Sequence, residues 1–287
     1  MWRFPAARPS FSMAVALGLA AMLALAACGK SPQPAAADAV GLHGKLVITG
    51  SSTVAPLAAE IGKRFEQLHP GVRVDVQTGG SSRGIADARQ GLADIGMASR
   101  ALNPDESDLH GFAIARDGIA VILNAANPVT VLSDAQIVAI YTGRVTRWNE
   151  VGGTDAPITV VNKAEGRSTL ELFLHYFKLQ SSAVKAHVVI GDNEQGIKTV
   201  AGNPDAIGYV SVGAAEYSAT HGVPIKLLPM NGVNASIASV KDSSFPLSRP
   251  LQLVTRTTPT GLAEAFIDYA RSPAVHDLVS QLYFVPL

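Results

Sequence analysis

The feature that most restricts this chain is an arrangement that recurs along it: a short apolar strand, a turn of small and hydroxyl residues, then a helix. Lys45-Leu46-Val47-Ile48-Thr49 is β-rich and runs into Gly50-Ser51-Ser52-Thr53. Leu57, Ile61, Phe65 and Leu68 follow at helical spacing, with Glu60, Lys63, Arg64 and Gln67 on the other side, until His69-Pro70-Gly71 stops the helix. Val72, Val74 and Val76 alternate with Arg73 and Asp75, a half-buried strand that leads into Thr78-Gly79-Gly80-Ser81-Ser82 and a helix from Arg83 to Gly91. Ala93 to Met97 reads as another short strand. This alternation predicts an α/β body with a largely parallel sheet.

The same order returns further on. Gly118 to Asn124 is a continuous apolar run, as expected of a strand buried on both faces. Asp134 to Tyr141 is helical, with Ser133 or Asp134 as its cap. Ile158 to Val161 is a strand entering Asn162-Lys163-Ala164-Glu165-Gly166-Arg167-Ser168-Thr169, and Leu170, Phe173, Leu174 and Phe177 then form a helical stripe that reads as core. Strands at Ile207–Val210 and Leu251–Val254 and a helix from Gly261 to Ala270 complete the pattern. The expected organisation is two α/β lobes: 45–121 and the return 240–287 in one, 122–239 in the other. The chain crosses between them near residues 119 to 124 and between 229 and 250.

The first residues read as an address and not as structure. Arg3 and Arg8 precede the apolar run Met13–Leu25, too short for a comfortable membrane span of about 20 residues. The run ends in Leu25-Ala26-Ala27-Cys28-Gly29, which resembles a bacterial lipoprotein signal, so 1–28 is expected to direct export and Cys28 to carry the lipid. An ordinary signal peptide with an incidental cysteine, or a buried thiol, are the other readings. Residues 29–44, rich in Pro and Ala, read as a flexible tether. Cys28 is the only cysteine, so no internal disulfide is available and stability must come from burial. With 23 basic and 23 acidic side chains the chain has no electrostatic footprint for nucleic acid.

Three turns share one design: Ser51-Ser52-Thr53, Ser81-Ser82-Arg83-Gly84 and Gly166-Arg167-Ser168-Thr169. A helix start exposes unpaired backbone N–H groups and about half a positive charge, so it attracts anions without a metal. Each hydroxyl taken alone is as well explained as an N-cap. Three such turns, divided between two lobes, favour an anion site at the ends of the strands.

The ordered series of motifs resembles the phosphate-binding proteins of phosphate ABC transporters, the PstS family, from about residue 45 to 287. It is carried by Gly50-Ser51-Ser52-Thr53-Val54-Ala55-Pro56, Gly79–Gly84, Ala93-Asp94-Ile95-Gly96-Met97-Ala98-Ser99-Arg100 and Asp117–Val121. Tyr141–Arg144 through Trp148, Ala206–Tyr209 and Pro246-Leu247-Ser248-Arg249-Pro250-Leu251 continue it. The resemblance implies a periplasmic-binding-protein type II fold, with two hinge crossings and a ligand cleft between the lobes. It implies a monomeric receptor, anchored in the periplasm by its lipid, that passes inorganic phosphate to permease subunits and uses no cofactor. Ser52, Thr53, Val54, Ser81 and Ser82 are the implied ligand residues of the first lobe, with Lys163, Arg167, Ser168 and Thr169 those of the second. Lys163 stands where well-known members have arginine. Ser99 stands where some members have an aspartate that accepts the ligand's proton; a hydroxyl can accept as well as donate.

Several roles stay open at this level. Arg167 is either a ligand for the anion or a solvent-facing side chain. Arg100 is either a cleft cation or the partner of a carboxylate, and Glu165 is a candidate partner for Lys163. Other oxyanions, such as sulfate, arsenate or a phosphonate, suit the same chemistry, as does a surface protein that reports phosphate status. Gly80-Ser81-Ser82-Arg83-Gly84 also matches the G-x-S-x-G elbow of serine hydrolases, with Ser82 as nucleophile and His187, His221 or His276 as base. No HGGG oxyanion loop accompanies it, and the seven histidines show no zinc-type spacing.

Overall fold

The computed structural model describes residues 41–287; the signal segment with Cys28 and the tether up to residue 40 lie outside the described residues. The chain runs through β1 (His43–Gly50), α1 (Ala55–Leu68), β2 (Gly71–Thr78), α2 (Ser81–Gln90), β3 (Ile95–Ala98) and β4 (His110–Asn124). It continues with α3 (Asp134–Tyr141), β5 (Thr159–Lys163), α4 (Ser168–Phe177), β6 (Val188–Ile190), α5 (Asn193–Ala201) and β7 (Ala206–Ser211). The remainder is α6 (Val212–Thr220), β8 (Ile225–Leu227), α7 (Ile237–Lys241), β9 (Ser248–Thr255), α8 (Gly261–Ala270) and α9 (His276–Gln281). Among the described residues no helix is long and apolar enough to cross a membrane.

Hydrogen bonding joins the strands in the order β2-β1-β3-β9-β4-β7-β5-β6, with β8 also on β4. The expected largely parallel sheet is mixed. β1 pairs with β2 and β3 in parallel, as does β5 with β6 and β7, but β9 runs antiparallel to β3 and β4, and β4 antiparallel to β7 and β8. The cause is the crossing itself: β4 leaves one lobe and β9 brings the chain back beside it, so the two must run in opposite directions.

Two hydrophobic cores define the lobes. One gathers Leu46, Ile48, Leu57, Ile61, Phe65, Ile95 and Phe266; the other gathers Ile119 to Leu123, Trp148, Phe173 and Tyr209. Each fully buried side chain of this kind contributes roughly 1.5–3 kcal/mol. The aromatic centre of the second core is tight, with Phe173 and Tyr209 stacked at 4.0 Å. Core membership changes within β4 between Ala115 and Ile119, a few residues before the boundary expected at 121/122. It changes back between Leu247 and Leu251, well after the one expected at 239/240, so that Val240, Phe245 and Leu247 belong to the second core.

The local readings place most elements within a few residues. α1 buries Leu57, Ile61 and Phe65, and α3 is capped by Ser133, whose Oγ accepts from Gln136 N at 3.2 Å while Ser133 N donates to Gln136 Oε1 at 2.9 Å. Two differences matter for the site. α2 begins at Ser81 and not at Arg83, which puts both serines in its first turn. The apolar strand at 118–124 is the second half of the 15-residue β4, whose first half carries Arg116 and Asp117. The close approach of α2 to β1 depends on glycine: a Cβ on Gly84 would meet Gly50 Cα at 2.6 Å. That contact sets the second hydroxyl turn beside the first.

Candidate functional site

Four helix beginnings converge on one hollow between the lobes. Its walls include Ser51, Ser52 and Thr53 before α1, Gly80 and Ser81 at α2, Ser168 and Thr169 at α4, and Gly191 and Asn193 at α5. Ser99, Lys163 and Arg167 complete it. The cavity is small, about 10 Å³, room for about one water centre. The lobes are therefore held close here, and Gly80 permits it: with φ at 98°, a Cβ would meet Gly166 O of the other lobe at 2.6 Å.

The hydroxyls form a continuous bonded chain across the gap. Ser51 Oγ donates to Ser99 Oγ at 3.1 Å, Ser99 Oγ and Ser168 Oγ share a bond of 2.5 Å, and Ser81 Oγ and Ser168 Oγ share one of 2.8 Å. Ser99 N donates to Ser81 Oγ at 3.2 Å. Because a hydroxyl both donates and accepts, each can rotate from its neighbour towards an anion without leaving a buried polar atom unpaired. Ser51 has a second task, accepting from the backbone N–H groups of Thr53 at 3.2 Å and Val54 at 3.3 Å, which fixes the turn before α1.

Cations sit beneath and beside this chain. Arg249, buried at 3% exposure, donates to Thr169 Oγ1 at 3.0 Å and Ser99 Oγ at 3.3 Å, and pairs with the fully buried Asp117 at 2.8 Å. Asp117 is held in turn by Ser211 Oγ at 2.9 Å. Lys163 Nζ donates to Asn193 Oδ1 at 3.1 Å. Burial, and then the nearby Arg249 charge, lower the Lys163 pKa to about 7, against the opposing pull of Asp192. Arg167 reaches across the lobes, with Nη1 3.5 Å from Ser52 Oγ.

Of the residues expected at the site, Ser52, Thr53, Ser81, Ser99, Lys163, Arg167, Ser168 and Thr169 face the hollow together. Three do not line it. The Val54 side chain lies in the first core. Ser82 Oγ donates to Glu171 Oε1 at 2.6 Å, and its N–H donates to Gly166 O at 3.3 Å. Arg100 is a carboxylate partner: it binds Glu106 through both terminal nitrogens, at 2.7 and 2.8 Å, and Glu171 through Nε at 2.5 Å. Glu165 does not hold Lys163; it accepts from Ser181 instead. Ser82 bonds to a carboxylate, while His187 accepts from Val160 N and His221 lies against Tyr217, so the elbow motif has no histidine partner there.

Sequence reasoning placed Ser51 in an anion-attracting turn without giving it a role of its own, and missed Gly191, Asn193 and the Arg249–Asp117 pair as parts of the site. A signal existed for the pair: each is a charge placed directly before an apolar strand segment, where burial demands a partner. Asn193 opens a short helix that the apolar pattern did not reveal.

The chain matches the PBP superfamily domain over residues 32–274. It is 28% identical over 278 residues to the phosphate-binding protein PstS of Bacillus subtilis, covering 93% of this chain and 90% of that one. A substrate-binding protein from Clostridium perfringens, solved with bound phosphate, is 32% identical with a TM-score of 0.77, covering 85% of this chain and all of that one. An ABC-type phosphate transport receptor from Vibrio cholerae is 30% identical with a TM-score of 0.71, covering 84% of this chain and all of that one. Fold, site and relatives agree: this chain belongs to the PBP superfamily, among the PstS phosphate-binding proteins of phosphate ABC transporters.

Proposed function

We propose that this protein captures inorganic phosphate between its lobes and presents it to the permease subunits of an ABC transporter. One observation carries the reading: hydroxyls and helix starts from both lobes meet around a single small hollow that also receives Lys163 and, through Thr169 and Ser99, Arg249. Such an arrangement offers many donors and fixed positive charge to a small dianion and contains nothing that needs to react.

The ligand residues in this reading are Ser52, Thr53, Ser81, Ser99, Lys163, Arg167, Ser168 and Thr169, with the Val54 N–H released from Ser51 to join them. Ser82 and Arg100 act on lobe closure through Glu171. The lobes are 45 to about 117 with about 249 to 287, and about 118 to 248, with the hinge where β4 and β9 pass between the cores. The open form captures the anion on the first lobe, and the second closes over it. Exclusion of water strengthens each charge-assisted bond, worth about 1.5–3 kcal/mol. Ser99 accepts the proton of hydrogen phosphate. Export, a lipid on Cys28 holding the receptor at the periplasmic membrane surface, and a monomeric state complete the reading.

A competition titration of the purified protein with phosphate, sulfate and arsenate across pH tests it. Phosphate and arsenate are expected to compete for one site at micromolar concentrations, about 8 kcal/mol of binding, with sulfate weaker. Absence of any heat or displacement with phosphate would refute the proposal.

A further inference from the structure

The anion hollow is not closed alike on all sides. On one flank the lobes touch through Glu171, Ser82 and Arg100. On another they stand apart around a gap of about 940 Å³ between α1 of the first lobe and α5 and α6 of the second. The gap continues the hollow, because Ser52, Thr53 and Asn193 line both. Where the two meet, Asn193 Nδ2 donates to Thr53 Oγ1 over 3.4 Å, a long bond that a ligand atom can replace at small loss.

The walls of the gap are largely apolar and include Ala59, Ile197, Ala214 and Phe284. Tyr217 and Tyr283 also line it and meet edge to face at 5.0 Å. Tyr283 holds φ at 58°, a conformation that bulky residues rarely adopt, and its carbonyl lies against Gly213, where a Cβ would come within 2.2 Å. Strain of this kind at a cavity wall points towards a binding role. A bare oxyanion has no apolar atoms to place here, whereas a cavity of this size and lining suits a small organic group.

We propose that the receptor also takes phosphate monoesters with an apolar or aromatic substituent, the phosphoryl group in the hydroxyl-lined hollow and the organic group in the adjoining gap. The inference rests on the reading of the hollow as a phosphate site. A monoester keeps three terminal oxygens for the hydroxyls and Lys163, and its bridging oxygen lies where Thr53 meets Asn193. The aromatic edges of Tyr217 and Tyr283 then flank the substituent.

Calorimetry on the full chain with inorganic phosphate and with phenyl phosphate, separately and in competition, tests this. Phenyl phosphate is expected to displace inorganic phosphate. Ala59→Trp and Ala214→Trp, which fill the gap from either lobe, should weaken phenyl phosphate about tenfold or more while inorganic phosphate is held as before. Should a tryptophan variant lose both ligands, Tyr217→Ala at its exposed position decides, with phenyl phosphate alone weakened. Failure of phenyl phosphate to displace inorganic phosphate, or equal binding of phenyl phosphate by wild type and gap variants, overturns the inference and leaves the phosphate reading intact. Failure of inorganic phosphate to bind wild type removes both.

Discussion

The two flanks of the interlobe site are built from different materials. On one, Arg100, Glu171, Ser82 and the Gly166 carbonyl bind the lobes together with directional polar contacts. On the other, α1 faces α5 and α6 across an apolar gap, and the lobes meet at its edge through the long Asn193–Thr53 bond. The contrast shows how a clamshell can stay reversible. Apolar contact between lobes would be buried at roughly 25 cal/mol per Å² and would hold the protein shut without a ligand. A polar contact exchanges for water at a net of only about 0.5–1.5 kcal/mol, so a few of them can steer closure and leave the anion to decide it.

The largest effect is expected at the floor shared by both flanks. Arg249→Met removes a cation that touches Thr169 and Ser99 and strands the fully buried Asp117. It should lower stability by about 3–5 kcal/mol, as for other broken buried pairs, and abolish measurable phosphate binding. Denaturant unfolding beside calorimetry reads both; near-wild-type stability would mean that Asp117 is not held by charge.

Next, Ser81→Ala removes one member of the hydroxyl chain on the latched flank, and Thr53→Ala removes the hydroxyl that meets Asn193 on the gap flank. Each should weaken phosphate by about 1.5–3 kcal/mol, the worth of a hydrogen bond to a charged group. Unequal losses would show which flank grips the anion harder.

A smaller change is expected from Glu171→Gln, which loosens the latch: its side chain bonds to Ser82 and Arg100, neither of which lines the hollow. Because Glu171 is about one-third exposed, the loss should be no more than about 1 kcal/mol. It should appear as faster phosphate release in stopped flow, with the association rate unchanged. A slower release would mean that the Arg100–Glu171 contact opposes closure.

The mildest prediction concerns pH. Lys163 in the free protein has its pKa lowered to about 7, below an ordinary lysine, so between these values the unfolded chain binds more protons than the folded one. Stability of the free protein should therefore rise with pH from about 7 upwards. Phosphate prefers the protonated amine, so affinity should move the other way, falling a few-fold per pH unit above about 7. In Lys163→Met both slopes should flatten relative to wild type; an unchanged affinity slope would assign it to the titration of phosphate itself.

Much of this was readable without coordinates. Leu57, Ile61 and Phe65 reveal α1, the valines at 72, 74 and 76 reveal β2, and Leu170, Phe173 and Phe177 reveal the buried face of α4, because side-chain period follows backbone geometry. Less was readable where elements are short: β6 has three residues and β8 three, too few for a period to register. The mixed sheet escaped for another reason, since strand direction depends on which distant segment lies alongside, and β9 reaches β4 only at the end of the chain.

Residue order alone determined the strand–hydroxyl–helix units and hence the presence of several anion-attracting helix starts, since propensity, capping and glycine conformation act within a few residues of the chain. Tertiary structure alone decided which of those groups face one another. Ser81 meets Ser168 across 87 residues and Arg249 meets Asp117 across 132. It also turned Ser82 and Arg100 to the latch, and opened an apolar gap on the other flank. The physical reason is that a side chain's partner is chosen by the packing of two separate cores around a crossing pair of strands, a global balance to which each local segment contributes only its shape.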